Sequence, residues 1–203
     1  MAARREREQQ LRRETILNSA RKLFKEKGFD FTTVDEIAAL SELGKGTIYS
    51  YFKSKDQIYI AILEEEFQIL EERMSLAVEK AGSAVKALDG LYETFIQYNR
   101  ERRGFIEALF VQVDQQTSVR LGDLLRGLKN KSSEWTDLVA GVLQKGIDQG
   151  EFAPFEVNQM AEVIIGMILG LIIQSEMGRI KADLSVYKGT LFRLAFEGIV
   201  KKR

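Results

Sequence analysis

The chain has 203 residues, 45% hydrophobic and 30% charged, a composition typical of a globular protein and not of a disordered one. Its 30 basic and 30 acidic side chains balance overall, but residues 1–55 contain 12 Lys+Arg and 8 Asp+Glu, which favours an anionic partner at one end. Because cysteine and histidine are absent, a disulfide framework and a thiolate nucleophile are excluded, and we expect no cofactor, no metal site and no enzymatic activity.

The amino-terminal stretch MAARREREQQLRRE is charged and has no apolar core of the kind that a secretory signal needs. The longest apolar run, VIIGMILGLII at 163–173, is shorter than the roughly 20 residues that cross a bilayer. We therefore expect a cytoplasmic protein without a membrane partner.

Apolar residues recur with helical spacing along nearly the whole chain. In the first predicted helix, one face is apolar: Ile16, Leu17, Ala20, Leu23 and Phe24. Gly28 then follows as a residue that can end a helix with a positive φ. Thr33 and Glu36 have the spacing of a capping box, which predicts that a second helix begins at Val34.

The stretch SELG ends this second helix after two turns, and GTIYSYF begins a third short one. Ser54 and Gln57 form another capping-box pattern, from which a long helix should run to about Lys80. Two very short helices joined by a short turn, after a supporting helix, describe a helix-turn-helix. Its predicted core takes side chains from every helix: Ile16, Leu23, Phe24, Val34, Ile37, Leu43, Ile48 and Phe52.

With Ile48 and Phe52 in the core, the other side chains of the third helix should point outward. The second helix of a helix-turn-helix presents its amino-terminal residues to base edges in the major groove, and here those residues are Lys45, Gly46 and Thr47. Further DNA contacts are predicted from Thr33, Tyr49, Tyr51 and Lys55, and from a flexible arm carrying Arg4, Arg5 and Arg7. Aromatic clusters and helix-start lysines also occur in ordinary packing and on solvated faces, but the combination of these features favours DNA recognition.

The stretch FTTVDEIAALSELGKGTIYSYFKSKDQIY, residues 31–59, resembles the DNA-binding domain of the TetR family of bacterial transcription regulators. The match is dense over about residues 12–63. It implies contacts to bases or nearby backbone from Lys45, Gly46, Thr47 and Tyr49, and contacts to phosphates from Thr33, Tyr51 and Lys55.

The turn of the helix-turn-helix departs from the family pattern. The family usually has alanine-glycine where this chain has Ser41 and Glu42, and often a serine-like cap in place of Gly44. We expect Glu42 to fit a tight turn only if it avoids a positive φ, and we expect its charge to weaken DNA binding.

We predict an all-α protein of about nine helices. A helix-turn-helix DNA-binding domain spans residues 1–54, and a long helix joins it to an effector-binding and dimerisation domain over 55–203. The stretch QKGIDQGEFAP at 144–154 is similar to the junction before the family's dimer helices.

Predicted helices at 156–177 and 184–202 are more apolar than one buried face requires, which favours an interface between two copies. Two such helices from each subunit would form a four-helix bundle, as they do in the family, and Gly166 and Gly170 have a spacing that lets another helix approach closely. The alternative is that 163–173 is the central helix of one subunit. The predicted interface residues are Ile164, Met167, Ile168, Leu171, Leu191 and Leu194.

An apolar central region with scattered polar groups predicts an effector pocket, lined by Phe95, Tyr98, Asn99, Phe110 and Trp135. The resemblance implies that a small apolar or amphipathic effector bound there shifts the long helix and changes the spacing of two recognition helices. We therefore expect a ligand-responsive regulator, more a repressor than an activator, that binds a palindromic operator as a homodimer at the bacterial nucleoid.

Two other classes of protein remain as alternatives. A helical adapter would use the same geometry for protein contacts and would show no salt-dependent DNA binding. A carboxylate enzyme or metal-dependent hydrolase would need acids clustered at a pocket, whereas EEE at 64–66 and EE at 71–72 look like a solvated helix face.

Overall fold

The computed structural model describes residues 2–101, 118–176 and 178–196, so the predicted pocket residue Phe110 lies outside the described residues. The described ranges contain only helical elements, which confirms the all-α prediction. They form α1 (Ala2–Lys27), α2 (Val34–Leu40), α3 (Lys45–Tyr51), α4 (Lys55–Glu79), α5 (Ala84–Glu101), α6 (Ser118–Asp148), α7 (Val157–Glu176), a 3₁₀ turn (Leu184–Tyr187) and α8 (Lys188–Phe196).

The chain divides into two compact units, Met1–Phe67 and Gln68–Arg203, and the division falls within the continuous helix α4. The first turns of α4 belong to the first unit because Ile58, Ala61 and Ile62 are buried in its core. A functional boundary between residues 54 and 55 stays a prediction.

The core of the first unit contains side chains from all four of its helices. Burial of each large aliphatic side chain contributes roughly 1.5–3 kcal/mol. Predicted core residues that are only partly buried pack against this centre: Leu23, Phe24, Val34 and Leu43. The buried residues are Ile16, Leu17, Ala20, Ile37, Ala38, Ile48, Phe52, Ile58, Ala61 and Ile62.

Helix α1 already includes the three amino-terminal arginines, so the flexible arm that we expected is helical instead. Alanine, arginine, glutamate and glutamine are good helix formers, and Arg4 pairs with Glu8 one turn later, with 3.1 Å between Nε and Oε1. Residues 4–12 are exposed, and the first fully buried side chain is Ile16.

The acidic run at 64–66 is solvated only at Glu64, contrary to our expectation, because the other two acids pair with arginines. Glu65 accepts hydrogen bonds from Arg13 (2.6 Å) and Arg21 (3.1 Å), and Glu66, which is 3% exposed, lies 3.2 Å from Arg21 Nε. Two turns of α1 are thereby fixed to α4. Periodicity alone misplaced these acids because it does not show which helix carries the complementary arginines.

In the second unit, α5 contributes a long buried face, which includes Leu88, Leu91 and Phe95. Polar contacts tie this helix to the carboxy-terminal elements. Tyr92 Oη donates to the Leu184 carbonyl at 2.6 Å, and Lys188 Nζ lies 2.7 Å from Asp89 Oδ1.

The stretch at 144–154 forms a tight junction between α6 and α5. Gly150 has a φ of 75° and ends α6 in a Schellman motif, in which Gly146 O accepts from Glu151 N at 2.8 Å. A Cβ at Gly146 would lie 2.3 Å from the Phe152 ring and 2.8 Å from Ala84, so this position has no room for a side chain. The Glu151 carboxylate accepts from Ala84 N (2.9 Å) at the start of α5, and these backbone hydrogen bonds lower the pKa of Glu151.

Helix α7 is longer than the apolar run that marked it. Its residues Val157–Ser175 are numerous and apolar enough to cross a membrane by length and composition alone, and 28% of this stretch is buried within the subunit. The helix predicted at 156–177 agrees with these bounds to within one residue, and only the apolar run at 163–173 understated its apolar length.

The buried face of α7 also corrects the predicted dimer residues. Ile164 (5% exposed), Ile168 (3%) and Leu191 (6%) belong to the subunit's own core, whereas Leu194 is 45% exposed and Met167 and Leu171 are half-buried. Both sides of α7 are apolar, so the periodicity could not show which one faces inward. The outward face, defined here as the outer stripe of α7, consists of Val163, Gly166, Met167, Gly170 and Gln174.

Candidate nucleic-acid interface

The capping box predicted at the start of α2 is present. Glu36 N donates to Thr33 Oγ1 at 3.3 Å, while Thr33 N donates back to Glu36 Oε2 at 2.8 Å. A hydrogen bond from Lys27, together with those from Thr33, lowers the pKa of Glu36 to about 2. Thr33 is exposed at this helix end, as a phosphate contact requires.

The turn between α2 and α3 holds Glu42 at a φ of 55°, so our expectation that a tight turn accepts this residue only without a positive φ is wrong. Glu42 N donates to Ala39 O at 3.2 Å and Leu43 N to Ala38 O at 3.0 Å, the two hydrogen bonds of a Schellman motif. Packing of Leu43 against the core adds a third constraint. Together these contacts hold a left-handed conformation that costs a non-glycine residue about 1–2 kcal/mol.

Helix α3 is anchored on one side and open on the other. Ile48 is fully buried and Phe52, at the end of the helix, is 6% exposed, as predicted. Gly44 caps the helix without a side chain, and its carbonyl accepts from Thr47 N at 2.8 Å. The departure at Gly44 therefore leaves the helix start intact.

The open side of α3 carries the predicted base-contacting residues. The Lys45 side chain is 53% exposed and Tyr49 is 46% exposed, while Thr47 is half-buried. A Cβ at Gly46 would meet nothing within 4 Å, so packing within the subunit does not require glycine there. A missing side chain on an open helix face lets another backbone or a ligand come close.

A residue that the sequence did not single out completes this surface. Asp35 Oδ1, in the first turn of α2, lies 2.7 Å from Lys45 Nζ, in the first turn of α3. The hydrogen bond to Asp35 raises the pKa of Lys45, so the lysine stays charged. Both side chains are largely exposed, and DNA must therefore compete with Asp35 for this ammonium group.

The other two predicted contact residues are placed differently. Tyr51 is half-buried and packs against the core. Lys55 Nζ hydrogen-bonds backbone carbonyls of the loop between α1 and α2. Their contacts to DNA stay predictions.

Residues 16–62, which include α2, α3 and the start of α4, match the family model for bacterial regulatory proteins of the tetR family. The chain belongs to the TetR family. It is a DNA-binding transcriptional regulator.

Relatives match this TetR-family chain over most of its length. The HTH-type transcriptional repressor KstR2 of Mycolicibacterium smegmatis is 28% identical over 145 residues, 70% of this chain and 68% of its own. The fatty acid metabolism regulator protein of Bacillus subtilis is 24% identical over 193 residues, 92% of this chain and 95% of its own. The solved structure of Thermus thermophilus FadR in complex with lauroyl-CoA has a TM-score of 0.69 at 22% identity, covering 94% of this chain and 96% of that one.

In the second unit of this TetR-family protein, four predicted pocket residues are buried: Phe95, Tyr98, Asn99 and Trp135. The rings of Phe95 and Trp135 meet edge to face with centroids 5.4 Å apart, and Arg73 Cζ lies 5.3 Å from the Tyr98 ring. Burial and mutual contact fit a core as well as a pocket lining, and the pocket stays a prediction. In the part of the chain that the structure describes, no three acidic side chains are grouped as metal ligands would be.

Proposed function

We propose that this TetR-family regulator represses transcription by binding a palindromic operator as a homodimer, and that an amphipathic acyl thioester releases it. The observation that carries the DNA-binding part is the geometry of α3. Its buried side holds Ile48 and Phe52, so the opposite side presents Lys45, Gly46 and Tyr49 to a partner.

The side chains on the open side of α3, together with Thr33, can contact chemical groups that DNA presents. Lys45 can donate to guanine O6 and N7, and the Thr47 methyl and hydroxyl can contact thymine or a polar base edge. The Tyr49 hydroxyl can donate to a phosphate, whereas the Thr33 hydroxyl donates to Glu36 Oε2 at 2.8 Å and would have to exchange this partner for a phosphate. One such surface makes few base contacts, so a symmetric pair of surfaces on two half-sites is the arrangement that reaches useful specificity.

For the dimer contact we propose the outer stripe of α7 instead of the buried residues first predicted. Val163 is 54% exposed, and a Cβ at Gly166 or Gly170 would meet nothing within 4 Å in the subunit. A second copy of α7 can therefore approach these glycines closely. Glu162 and Gln174, exposed on the same helix, favour a second copy over a bilayer as the covering surface.

The proposed effector class rests on the relatives and on the apolar interior of the second unit. T. thermophilus FadR is described in complex with lauroyl-CoA, and a B. subtilis relative is named for fatty acid metabolism. An acyl chain would suit the region between α5 and α6, where Phe95 and Trp135 are buried. Repression is inferred from the M. smegmatis relative, which is named a repressor.

We infer a regulatory activity instead of an enzymatic one, because the relatives are transcriptional regulators. For the same reason we place the protein in the bacterial cytoplasm, at the nucleoid.

A selection of genomic DNA by the purified protein tests the DNA-binding part. We expect one palindromic site, lost in Lys45→Ala and Tyr49→Ala and retained in Lys86→Ala, which removes an exposed lysine from α5. Binding of no specific site at any salt concentration would favour the adapter.

The effector part is tested by titrating the protein–operator complex with lauroyl-CoA, lauric acid and free coenzyme A. A ligand that prefers the DNA-free state about 100-fold shifts the equilibrium by about 2.7 kcal/mol. We expect such release with lauroyl-CoA alone. Equal operator affinity with and without all three compounds would contradict the proposed effector class.

A further inference from the structure

The ammonium group of Lys55, in the first turn of α4, lies in a cradle of backbone carbonyls. Its Nζ is 2.6 Å from Phe29 O, 2.7 Å from Thr32 O and 3.3 Å from Asp30 O. It also lies 4.2 Å from the centroid of the Phe29 ring, within cation–π distance. An ammonium group has three N–H donors and no acceptor, so three carbonyls match its capacity.

The loop that supplies these carbonyls, residues 28–33, is itself held in place. Gly28 ends α1 with a φ of 83°, and its carbonyl accepts the Thr32 hydroxyl at 2.8 Å. Thr32 is 1% exposed, and its N–H donates to Phe29 O at 3.2 Å. The carbonyls thus converge on one point, and those of Phe29 and Thr32, which are partly removed from water, are satisfied there by a charged donor.

A second contact of α4 with the same loop lies one turn later. Tyr59 packs against Phe29 with ring centroids 5.0 Å apart and against Phe24 of α1 at 5.7 Å. Burial raises the pKa of Tyr59. The start of α4 therefore holds the loop by an ammonium group and by an aromatic ring.

The loop leads directly into the DNA-binding surface. Thr33 is the N-cap of α2, and the next turn carries Asp35, which pairs with Lys45 of α3. Movement of the loop would shift Thr33 and the start of α2 together.

We propose that Lys55 is a positioning residue, which holds the loop 28–33 and thereby Thr33 and α2 in the geometry that binds DNA, and that it makes no phosphate contact. This inference rests on the proposed operator binding. It replaces the phosphate contact that the sequence predicted for Lys55, because the carbonyl cradle already uses the ammonium donors.

Salt dependence separates the two roles. A lysine that neutralises one phosphate contributes about 0.9 to the slope of log affinity against log salt. We expect Lys55→Met to bind the selected operator about tenfold more weakly or worse, the order expected for lost hydrogen bonds to a charged group, with the wild-type salt slope. Lys86→Met, which removes the same charge from α5, should change neither quantity.

The conservative variant Lys55→Arg gives an independent answer. Arginine binds phosphate well, but its planar guanidinium group does not fit three carbonyls that converge on one point. We expect Lys55→Arg to bind as weakly as Lys55→Met. Wild-type affinity in Lys55→Arg, or a salt slope lowered by about 0.9 in Lys55→Met, would overturn the proposal.

Amide hydrogen exchange of the full chain distinguishes positioning from general destabilisation. In both Lys55 variants the amides of residues 29–36 should exchange faster, while those around the buried Ile16 and Ile62 keep their protection. Unchanged exchange in the loop would overturn the proposal. If Lys55→Met loses its helical circular dichroism, and so does not fold, the affinity and exchange of Lys55→Arg decide between positioning and phosphate contact. If the proposed operator binding is itself wrong, the wild-type protein will also bind no operator. That result is distinguishable from failure of the Lys55 proposal, in which only the variants are informative.

Discussion

Helices α3 and α7 are each buried on one side, but their exposed sides have opposite chemistry. The exposed side of α3 presents a cation and hydroxyl groups through Lys45, Thr47 and Tyr49. The outer stripe of α7 presents Val163 and Met167. Both helices also carry glycines around which the subunit leaves open space. The side chains beside these glycines differ in a way that fits the two proposed partners, a polyanion at α3 and an apolar helix of a second copy at α7.

The largest expected effect comes from placing a charge on the apolar outer stripe of α7. Met167→Glu should separate the dimer, because two buried carboxylates without partners strongly disfavour association. Operator affinity should then fall by about 100-fold or more, since one half-site contact replaces two. Sedimentation velocity and operator binding measure the two effects, with Val85→Glu, an exposed position on α5, as the control.

A Met167→Glu protein that stays dimeric would place the interface elsewhere. Binding of the wild-type protein to phosphatidylcholine vesicles would show that lipid, and not a second copy, covers α7.

Two alanine substitutions compare a glycine whose Cβ position is occupied by neighbouring atoms, Gly146, with one whose Cβ position is empty, Gly46. They test whether the empty space at Gly46 is used for a contact with DNA. Gly146→Ala should destabilise the protein by about 1–3 kcal/mol, because its Cβ would overlap the Phe152 ring. Gly46→Ala should leave the free protein as stable or up to about 1 kcal/mol more stable, yet weaken operator binding. Urea unfolding and operator titration measure these changes. Gly46→Ala with wild-type operator affinity would show that the open space at α3 is unused.

Asp35→Asn tests how the ion pair between Asp35 and Lys45 affects DNA binding by α3. Removing the carboxylate frees Lys45 from its 2.7 Å partner and removes a negative charge from the surface. Affinity for non-specific DNA should rise several-fold at low salt, and the ratio of specific to non-specific binding should fall. Competition titrations at two salt concentrations measure both, and an unchanged ratio would mean that Asp35 lies away from DNA.

Glu42→Gly tests the strain stored in the turn before α3. Glycine adopts a φ of 55° without steric penalty, so the free energy of unfolding should increase by about 1 kcal/mol. Glu42→Gln removes the charge but keeps the strain, and should gain DNA affinity without gaining stability. Equal stability of the two variants would show that strain is not the relevant quantity.

The smallest expected effect is a pH dependence of stability that arises from Glu36 in α2. The outer stripe of α7 has no titratable side chain that could give such a dependence. Because Lys27 and Thr33 lower the pKa of Glu36 from 4.5 to about 2, its contribution is complete above pH 4.5 and is lost as the pH falls toward 2. Glu36→Gln should weaken this dependence of stability on pH, whereas Glu26→Gln, on an exposed position of α1, should leave it unchanged. Unfolding curves between pH 5 and about 2 measure it.

Local patterns predicted the helix-turn-helix well. The capping box at Thr33, the first residue of α2 at Val34 and the anchors Ile48 and Phe52 all depend on residues within a few positions of one another. Such interactions are formed by neighbours in the chain, so spacing is enough to find them.

One wrong expectation and one unforeseen contact arose where local spacing was not enough. Glu42 adopts a left-handed conformation because backbone hydrogen bonds and the packing of Leu43 outweigh its own preference. Lys55 lies with the carbonyls of residues more than 20 positions earlier in the chain, a contact that no local pattern contains.

The all-α class, the helix-turn-helix and the side of α3 that can meet DNA were all predictable from the sequence, because they follow from periodicity and capping. Contacts between distant parts of the chain set which side of α7 is buried, which acids pair with the arginines of α1, and where the ammonium group of Lys55 lies. A helix with two apolar sides can pack in more than one orientation, and a long charged side chain can adopt several conformations, at similar energy. Packing against distant parts of the chain selects one of them.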